Sequence, residues 1–548
     1  MIIKRKHISI FSIIAALSIG TVLGVWQTMP PGVNQSSPMY PSYVRMMANL
    51  QKMTASPHPS GSEEIEIVRA HLLEEIKNMG LTPDIQSAVY SADEYIKKFI
   101  YKQDVLSSME EHWEMAKDNA NKEGIYSFED FHEYIKDLLA VIPEENFTLN
   151  EIINNYYMKL KYSSIDEYYE TVKDIVIQYD IHSFDEFNKY IGEYYGINVN
   201  EEGVLPLYNI IVKLDAPQTD RGVLFVAHYD SEHETSGAAD NMLAVVSLLE
   251  ALRSQAQNNA LKTNLYFLFT DGEELGLLGS FIFAEEYPEL KDKIDMVINF
   301  DARGNSGPLL LFETSPNAYN LAEVYKKSGA WLYGFSASTQ LYHMMQDNIR
   351  PGTDFIVFLK ENYNGLNFAV IEGVKAYHMY NLIDDSYENL NRNTAWHHLQ
   401  VTLSLASYTA NNNSADLQKP SAEAVFFPFL PGRIALMTAI VSHIICAFSC
   451  ALALAVITFK IINRRIKPVP PFILMCLLIT VSIICAVFFT SASYLFYIPL
   501  LLSAVTSLIK KWYALHLTVK MASYIIILML YVPLIISIWQ AVIVPMML

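Results

Sequence analysis

The alternation of apolar and polar positions divides the chain into three regimes. The first is an apolar run from about Ile8 to Trp26, preceded by Lys4, Arg5 and Lys6. It is long enough to cross a hydrocarbon core of roughly 30 Å at about 1.5 Å per residue. No small-residue cleavage site precedes Gln27, Met29 and Pro30, so the run reads as a retained anchor and not as a removed signal peptide. The last regime, after Pro428, contains no Asp or Glu and consists of apolar runs separated by short basic patches. Four spans of about 20 residues fit it, at roughly 433–459, 470–490, 493–509 and 521–544.

In the middle regime, from Gly203 onward, short apolar runs alternate with helical stretches. GVLFVA (222–227), NLYFLFT (264–270), IDMVINF (294–300) and LNFAVI (366–371) have the length and composition of buried strands. Helices are predicted between them over 241–254, 276–287 and 318–329. Such alternation predicts an α/β fold with a mostly parallel sheet and helices on both faces.

The stretch from Tyr90 to Asn200 has another rhythm. Ser91 with Glu94, Ser127 with Asp130, Thr148 with Glu151, Ser164 with Glu167 and Ser183 with Glu186 each place an acid three residues after a hydroxyl. The hydroxyl accepts from a free first-turn amide and the acid reaches back to the capping residue, so each pair marks a helix start. SFEDFHEYI at 127, SIDEYYETV at 164 and SFDEFNKYI at 183 read as degenerate repeats. An inserted all-α segment over 91–200 is therefore predicted. The expected organisation is an N-terminal tip and anchor over 1–27, an outer domain over 28–427, and a membrane domain of four helices over 428–548.

Charge orients this arrangement. Lys4–Lys6, then Lys460, Arg464, Arg465 and Lys467, then Lys510, Lys511 and Lys520 all fall on one side of the bilayer if the first of five spans starts in the cytoplasm. Residues 28–427 then face away from the cytoplasm. All 58 acidic residues lie there, with only part of the 39 lysines and arginines, leaving about thirty net negative charges, a composition that excludes nucleic acid as a partner. The four cysteines, Cys446, Cys450, Cys476 and Cys485, lie in predicted spans, so the outer domain holds together without disulfides.

In open α/β sheets ligands bind beyond the carboxyl ends of the strands. His228, Tyr229 and Asp230 follow the first predicted strand, Asp271, Gly272, Glu273 and Glu274 the second, and Asp301 the third, while Tyr377 and His378 lie a short turn past the fourth. Asp240 opens the helix after His228. Each has an ordinary reading: a helix cap for Asp240, a solvated turn for Glu273 and Glu274, a strand-end acid for Asp301, a core histidine for His378. Their joint placement on one sheet edge is what those readings leave unexplained. Histidines and carboxylates without cysteine suit a borderline cation such as zinc, with manganese or cobalt as alternatives.

The ordered series HYDS (228–231), AADN (238–241), DGEELGLLGS (271–280), NFDARGNSGP (299–308), TDF (353–355) and YH (377–378) resembles the co-catalytic zinc aminopeptidases, a family with membrane-bound members in bacteria and the endoplasmic reticulum. The likeness covers about 205–410. It implies a zinc exopeptidase-like fold, peptide substrates cleaved at the amino end, and two zinc ions. His228 and Asp301 would hold one ion, Glu274 and His378 the other, and Asp240 would bridge them. Glu273 would be the general base, Asp230 the partner that sets the tautomer of His228, and Tyr380 a candidate donor to the oxyanion. A lipid bilayer, in a bacterial cell membrane, is the implied setting. Asn241 and Ala244 depart from the family's usual Asp and Gly, and the insertion is no part of its pattern. His233 and Glu234 read as a solvated loop, and His397 and His398 as fold-supporting residues. Competing readings are a glutaminyl-cyclase-like enzyme, an inactive scaffold ectodomain whose insertion binds a protein, and a transporter, which the lack of charged residues inside the spans disfavours.

Overall fold

The computed structural model describes residues 2–91, 204–346, 352–377, 383–413, 421–463, 470–509 and 513–539. The expected helical insertion lies outside the described residues apart from Ser91, as do His378 and Tyr380. The chain forms two compact units, one of residues 1–58, 67–86 and 209–548, the other of 59–66 and 87–208. In the second, the amide of Ile65 donates to Ser62 Oγ at 3.1 Å, capping a helix start.

Three helices come first: α1 (Ile2–Gln27), α2 (Tyr40–Met53) and α3 (Glu63–Asn78). There follow β1 (Asp84–Ser91), β2 (Val204–Leu214), β3 (Gly222–His228), α4 (Leu243–Gln255), β4 (Asn264–Thr270), α5 (Leu278–Glu286), β5 (Ile294–Ala302) and β6 (Ser306–Thr314). Next are α6 (Tyr319–Lys327), α7 (Ser336–Gln346), α8 (Asp354–Lys360), β7 (Gly365–Glu372) and α9 (Arg392–Asn411). A hairpin of β8 (Ala424–Leu430) and β9 (Arg433–Thr438) leads into the apolar helices α10 (Ala439–Ile462), α11 (Pro470–Phe488), α12 (Tyr494–Leu508) and α13 (Tyr513–Ile538).

The sheet order is β1-β2-β4-β3-β5-β7-β6. The four strands predicted from apolar runs are its centre, β4, β3, β5 and β7, and they pair in parallel. Both faces of each are covered, which is why they read as continuous apolar runs. The sheet is mixed, because β2 and β6 add antiparallel on the two sides. Neither shows as an apolar run: β2 carries Pro206, Asn209 and Lys213, and β6 opens with Ser306, Gly307 and Pro308.

Alternation along the strands builds two cores. Leu224, Val226, Leu268 and Val297 face Phe283 of α5 and Phe355 and Phe358 of α8. On the opposite face Phe225 stacks on Phe267 at 5.2 Å, and Phe300 lies 5.4 Å from Phe368 and 5.2 Å from the ring of His398 on α9. His397, its neighbour, accepts from the Leu309 amide at 3.0 Å and donates to the Trp331 carbonyl at 2.8 Å, tying α9 to β6. Both histidines thus support the fold.

Among the described residues, Ile10–Gln27, Ala439–Phe459 and Leu515–Ile538 are long and apolar enough to cross a membrane, while Cys476–Ala486 and Tyr494–Leu508 are shorter apolar stretches. The span predicted from 433 is corrected: Arg433–Thr438 pairs with β8 as a strand, and the helix begins at Ala439, where Thr438 Oγ1 caps the Val441 amide. α1 packs along α13. A Cβ at Gly24 would sit 2.7 Å from Val532 Cβ, and one at Gly20 3.0 Å from Leu528 Cβ, so both glycines permit close approach of parallel helices.

Burial lowers the pKa of His397 to about 4 and of His398 to about 3. The unfolded chain, with histidine near 6.5, binds more protons than the folded one below that value, so this stability is present above about pH 6.5 and is lost as pH falls toward 4. By pH 5 the loss is about 2 kcal/mol per histidine. The melting temperature of the detergent-solubilised protein is therefore expected to drop between pH 7 and pH 5, and His398→Phe to flatten that drop. An identical pH profile for the variant would refute the assignment.

Candidate metal centre

Adjacent parallel strands end together, and their ends deliver the site. β3 ends on His228, β4 runs into Asp271–Glu274, and β5 ends on Asp301 and Ala302. A tight turn over Ala238–Met242, non-helical at Asp240 and Asn241 and with a cis bond between them, brings in Asp240. Asn241 donates through Nδ2 to the Phe300 carbonyl at 2.8 Å, so this departure from the family pattern ties the turn to β5 beside Asp301.

His228 Nε2 lies 3.3 Å from Asp240 Oδ1, 3.8 Å from Asp301 Oδ1 and 3.9 Å from Glu273 Oε2. Two triplets, His228 with Asp240 and Asp301, and His228 with Glu273 and Glu274, keep their ligand atoms within 4.8 Å of one another. The other ring nitrogen, Nδ1, donates to the Asp230 carbonyl at 3.1 Å. That bond fixes the tautomer, so a neutral His228 presents an unprotonated, buried Nε2 that has no hydrogen-bond partner among the described residues. A buried lone pair aimed into carboxylates is the arrangement a metal ligand needs.

The electrostatics fit a cation as well. Burial raises the Glu273 and Glu274 carboxyls well above their ordinary range, and neighbouring carboxylates add to it, Asp301 for Glu273 and Asp240 for Glu274. Burial, with Asp240, takes Asp301 to about 6 against the opposing pull of His228. Burial alone would lower the pKa of His228, but Glu273, Asp230, Asp240 and Asp301 together push it well above 6.5. Four carboxyls share a largely buried site around one imidazole, and bound cations would let all of them ionise.

Asp230 does more than the sequence suggested. Its carboxylate oxygens accept from the backbone amides of Glu273 at 3.2 Å and Glu274 at 3.1 Å, so it holds the turn that carries both glutamates. From the other side Asn209 Oδ1 accepts from the Asp271 amide at 3.1 Å while Asn209 Nδ2 donates to the Gly279 carbonyl at 2.8 Å. A Cβ on Gly279 would lie 2.5 Å from Asn209 Oδ1 and 2.6 Å from the Asp271 carbonyl oxygen, so this position admits only glycine. Thr270 donates to Asp354 of the TDF motif at 2.5 Å, bracing the end of β4.

The sequence reading missed Asp385. Its carboxylate accepts from the amides of Ala239 and Asp240, each at 2.9 Å, and its carbonyl accepts from the Ala238 amide at 3.0 Å. It grips the turn that positions Asp240. The signal was the acidic pair Asp384–Asp385 beyond the YH motif, too far from a strand end to be noticed. His233 is exposed and pairs with Glu232 at 3.0 Å, as a solvated loop residue does.

Fold and site together define a membrane-anchored α/β protein with a buried histidine–carboxylate centre of metallohydrolase type. Residues 209–406 match peptidase family M28. The "Vacuolar membrane protease" of Saccharomyces cerevisiae (strain YJM789) is 32% identical over 227 residues, 40% of this chain and 22% of the relative. That of Lachancea thermotolerans is 29% identical over 224 residues, again 40% and 22%. The chain matches about a fifth of the length of these curated relatives. Among solved structures, an aminopeptidase from Aneurinibacillus sp. strain AM-1 is 11% identical, covering 67% of this chain and 93% of its own at a TM-score of 0.38. A glutaminyl cyclase from Fimbriiglobus ruber is 12% identical, covering 70% and 98% at a TM-score of 0.39.

Replacing Asp385 by Asn leaves one acceptor where two amides need one, and loosens Asp240. Zinc affinity, measured by competition with a chromophoric chelator, is expected to fall about 10- to 100-fold in Asp385→Asn with the fold intact. Unchanged affinity would mean that Asp240 needs no such support.

Proposed function

We propose that the protein is a membrane-anchored, zinc-dependent aminopeptidase. The observation that carries this reading is the buried Nε2 of His228 facing Asp240, Asp301 and Glu273 inside the M28 segment. His228 and Asp301 would hold one zinc, Glu274 and His378 a second, and Asp240 both, with manganese or cobalt as alternatives. When bound, the ions supply a water acidified for attack and polarise the scissile carbonyl.

The chain's own groups do the rest. Glu273 takes a proton from the attacking water and passes it to the leaving amine. Asp230 holds the amides of Glu273 and Glu274, and with them the turn from which Glu274 would reach the metal and Glu273 the water. The resemblance to the co-catalytic zinc aminopeptidases supports attack at the amino end. A cyclase would need no hydrolytic water, and a scaffold would need neither Glu273 nor its orientation by Asp230.

The parallel packing of α1 on α13 supports a topology in which both helices start on the cytoplasmic side, with five spans and the catalytic face outside. The bacterial cell membrane implied by the resemblance draws no support from the fungal relatives.

Glu273→Gln removes the proton acceptor while keeping the shape of the site. It is expected to lower kcat by about 10²- to 10⁴-fold on peptides with a free amino terminus, with metal content unchanged by elemental analysis. Amino-blocked peptides are expected to resist the unmutated protein, and chelation followed by zinc to abolish and restore activity. Full activity in Glu273→Gln would remove the general-base assignment, and metal without turnover on any peptide would favour the scaffold reading.

A further inference from the structure

A cleft leads away from the carboxylate cluster, with Asp240, Glu273, Glu274 and Asp301 at one end. Strand register shows where it goes. Asp301 on β5 stands beside Ala369 on β7, and Ala369 stands beside Leu310 on β6. Side chains two apart on a strand share a face, so Ala369 with Ile371 and Leu310 with Phe312 form one apolar floor extending from the metal ligands.

The far wall belongs to the membrane domain. Leu534, Ser537 and Ile538 line the same cleft, and their spacing of three and four places them on one face of α13. They occupy the last turns of an apolar stretch, Leu515–Ile538, long enough to cross a bilayer. Two observations show that this end of α13 is fastened there. Leu534 is buried in one cluster with Leu310, Tyr333 and Phe335, and Tyr333 Oη lies 3.2 Å from Ser537 Oγ.

We propose that the end of α13 is the specificity wall of the active site. The substrates it selects are peptides whose first residue is bulky and apolar and which lie at the bilayer surface. The inference rests on the aminopeptidase reading for the reaction, and on the cleft alone for the selection. A leucine or phenylalanine side chain entering beside Asp301 would cross the floor of β7 and β6 and meet Leu534, Ser537 and Ile538. Because that wall is the end of a membrane helix, the mouth of the cleft stands where an apolar peptide segment partitions out of water.

The test uses the full chain in phosphatidylcholine nanodiscs. Ser537→Trp places an indole in the cleft, and Ser537→Ala serves as the control of similar size. Expected is a loss of kcat/KM of about tenfold or more for Phe- and Leu-initiated peptides in Ser537→Trp, with Ala-initiated peptides changed far less. Ile538→Ala lengthens the cleft without filling it and is expected to raise the Trp-to-Leu preference. Equal effects on all peptides, or none in both variants, would overturn the proposal. A Phe-initiated peptide extended by a bilayer-partitioning tail is expected to show a lower KM than the same peptide without the tail, and equal KM values would overturn delivery from the surface. Should the protein hydrolyse no peptide, the reaction assigned above fails, and the wall is then judged by binding of a fluorescent Phe-initiated peptide. Binding weakened by Ser537→Trp sustains the wall, and unchanged binding removes it.

Discussion

Everything at the sheet edge depends on keeping four largely buried carboxyl groups close together around one imidazole. Burial penalises each charge, and every ionised neighbour penalises the others, so the arrangement exists only because surrounding atoms hold it. The holding groups are mostly backbone amides: those of Glu273 and Glu274 on Asp230, and those of Ala239 and Asp240 on Asp385. An outer layer of acids thus positions an inner layer of acids through the main chain. Side-chain pairing alone would leave the inner carboxylates free to turn toward solvent.

This construction explains what could be read from residues alone. Parallel central strands are buried on both faces, so their apolar runs and the polar residues that end them stand out. His228, Asp271, Glu273, Glu274 and Asp301 all follow such ends. β2 and β6 could not be seen the same way, because flanking strands carry polar and helix-breaking residues that blur the period. Asp385 escaped for another reason: it acts on backbone amides nearly 150 positions away, and no local pattern records such a bond. The hairpin before Ala439 was hidden by its composition, since an apolar strand and the start of an apolar helix look alike until the turn at Pro431–Gly432 is recognised.

Helix α13 shows the same limit at larger scale. Its composition announces a membrane helix, but an all-round apolar helix has no face that a sequence can single out. Only the packed structure distinguishes Leu534, Ser537 and Ile538, turned to the cleft, from Leu528 and Val532, turned to α1. The two faces do different work. One is held by Gly20 and Gly24 of α1 and fixes where α13 stands; the other closes the cleft.

The membrane domain is then more than an anchor. An anchor could be joined to the catalytic domain by any linker, and its rotation about its own axis would be immaterial. Here Tyr333 bonds Ser537 and Leu534 enters the core beside Phe335, so turning or sliding α13 by one residue would carry the cleft wall with it. The close approach of α1, which glycine at 20 and 24 permits, opposes that motion from the opposite side. The cleft beside the carboxylate cluster is in this way coupled to the packing of α13 against α1, through contacts that the sheet domain by itself would lack.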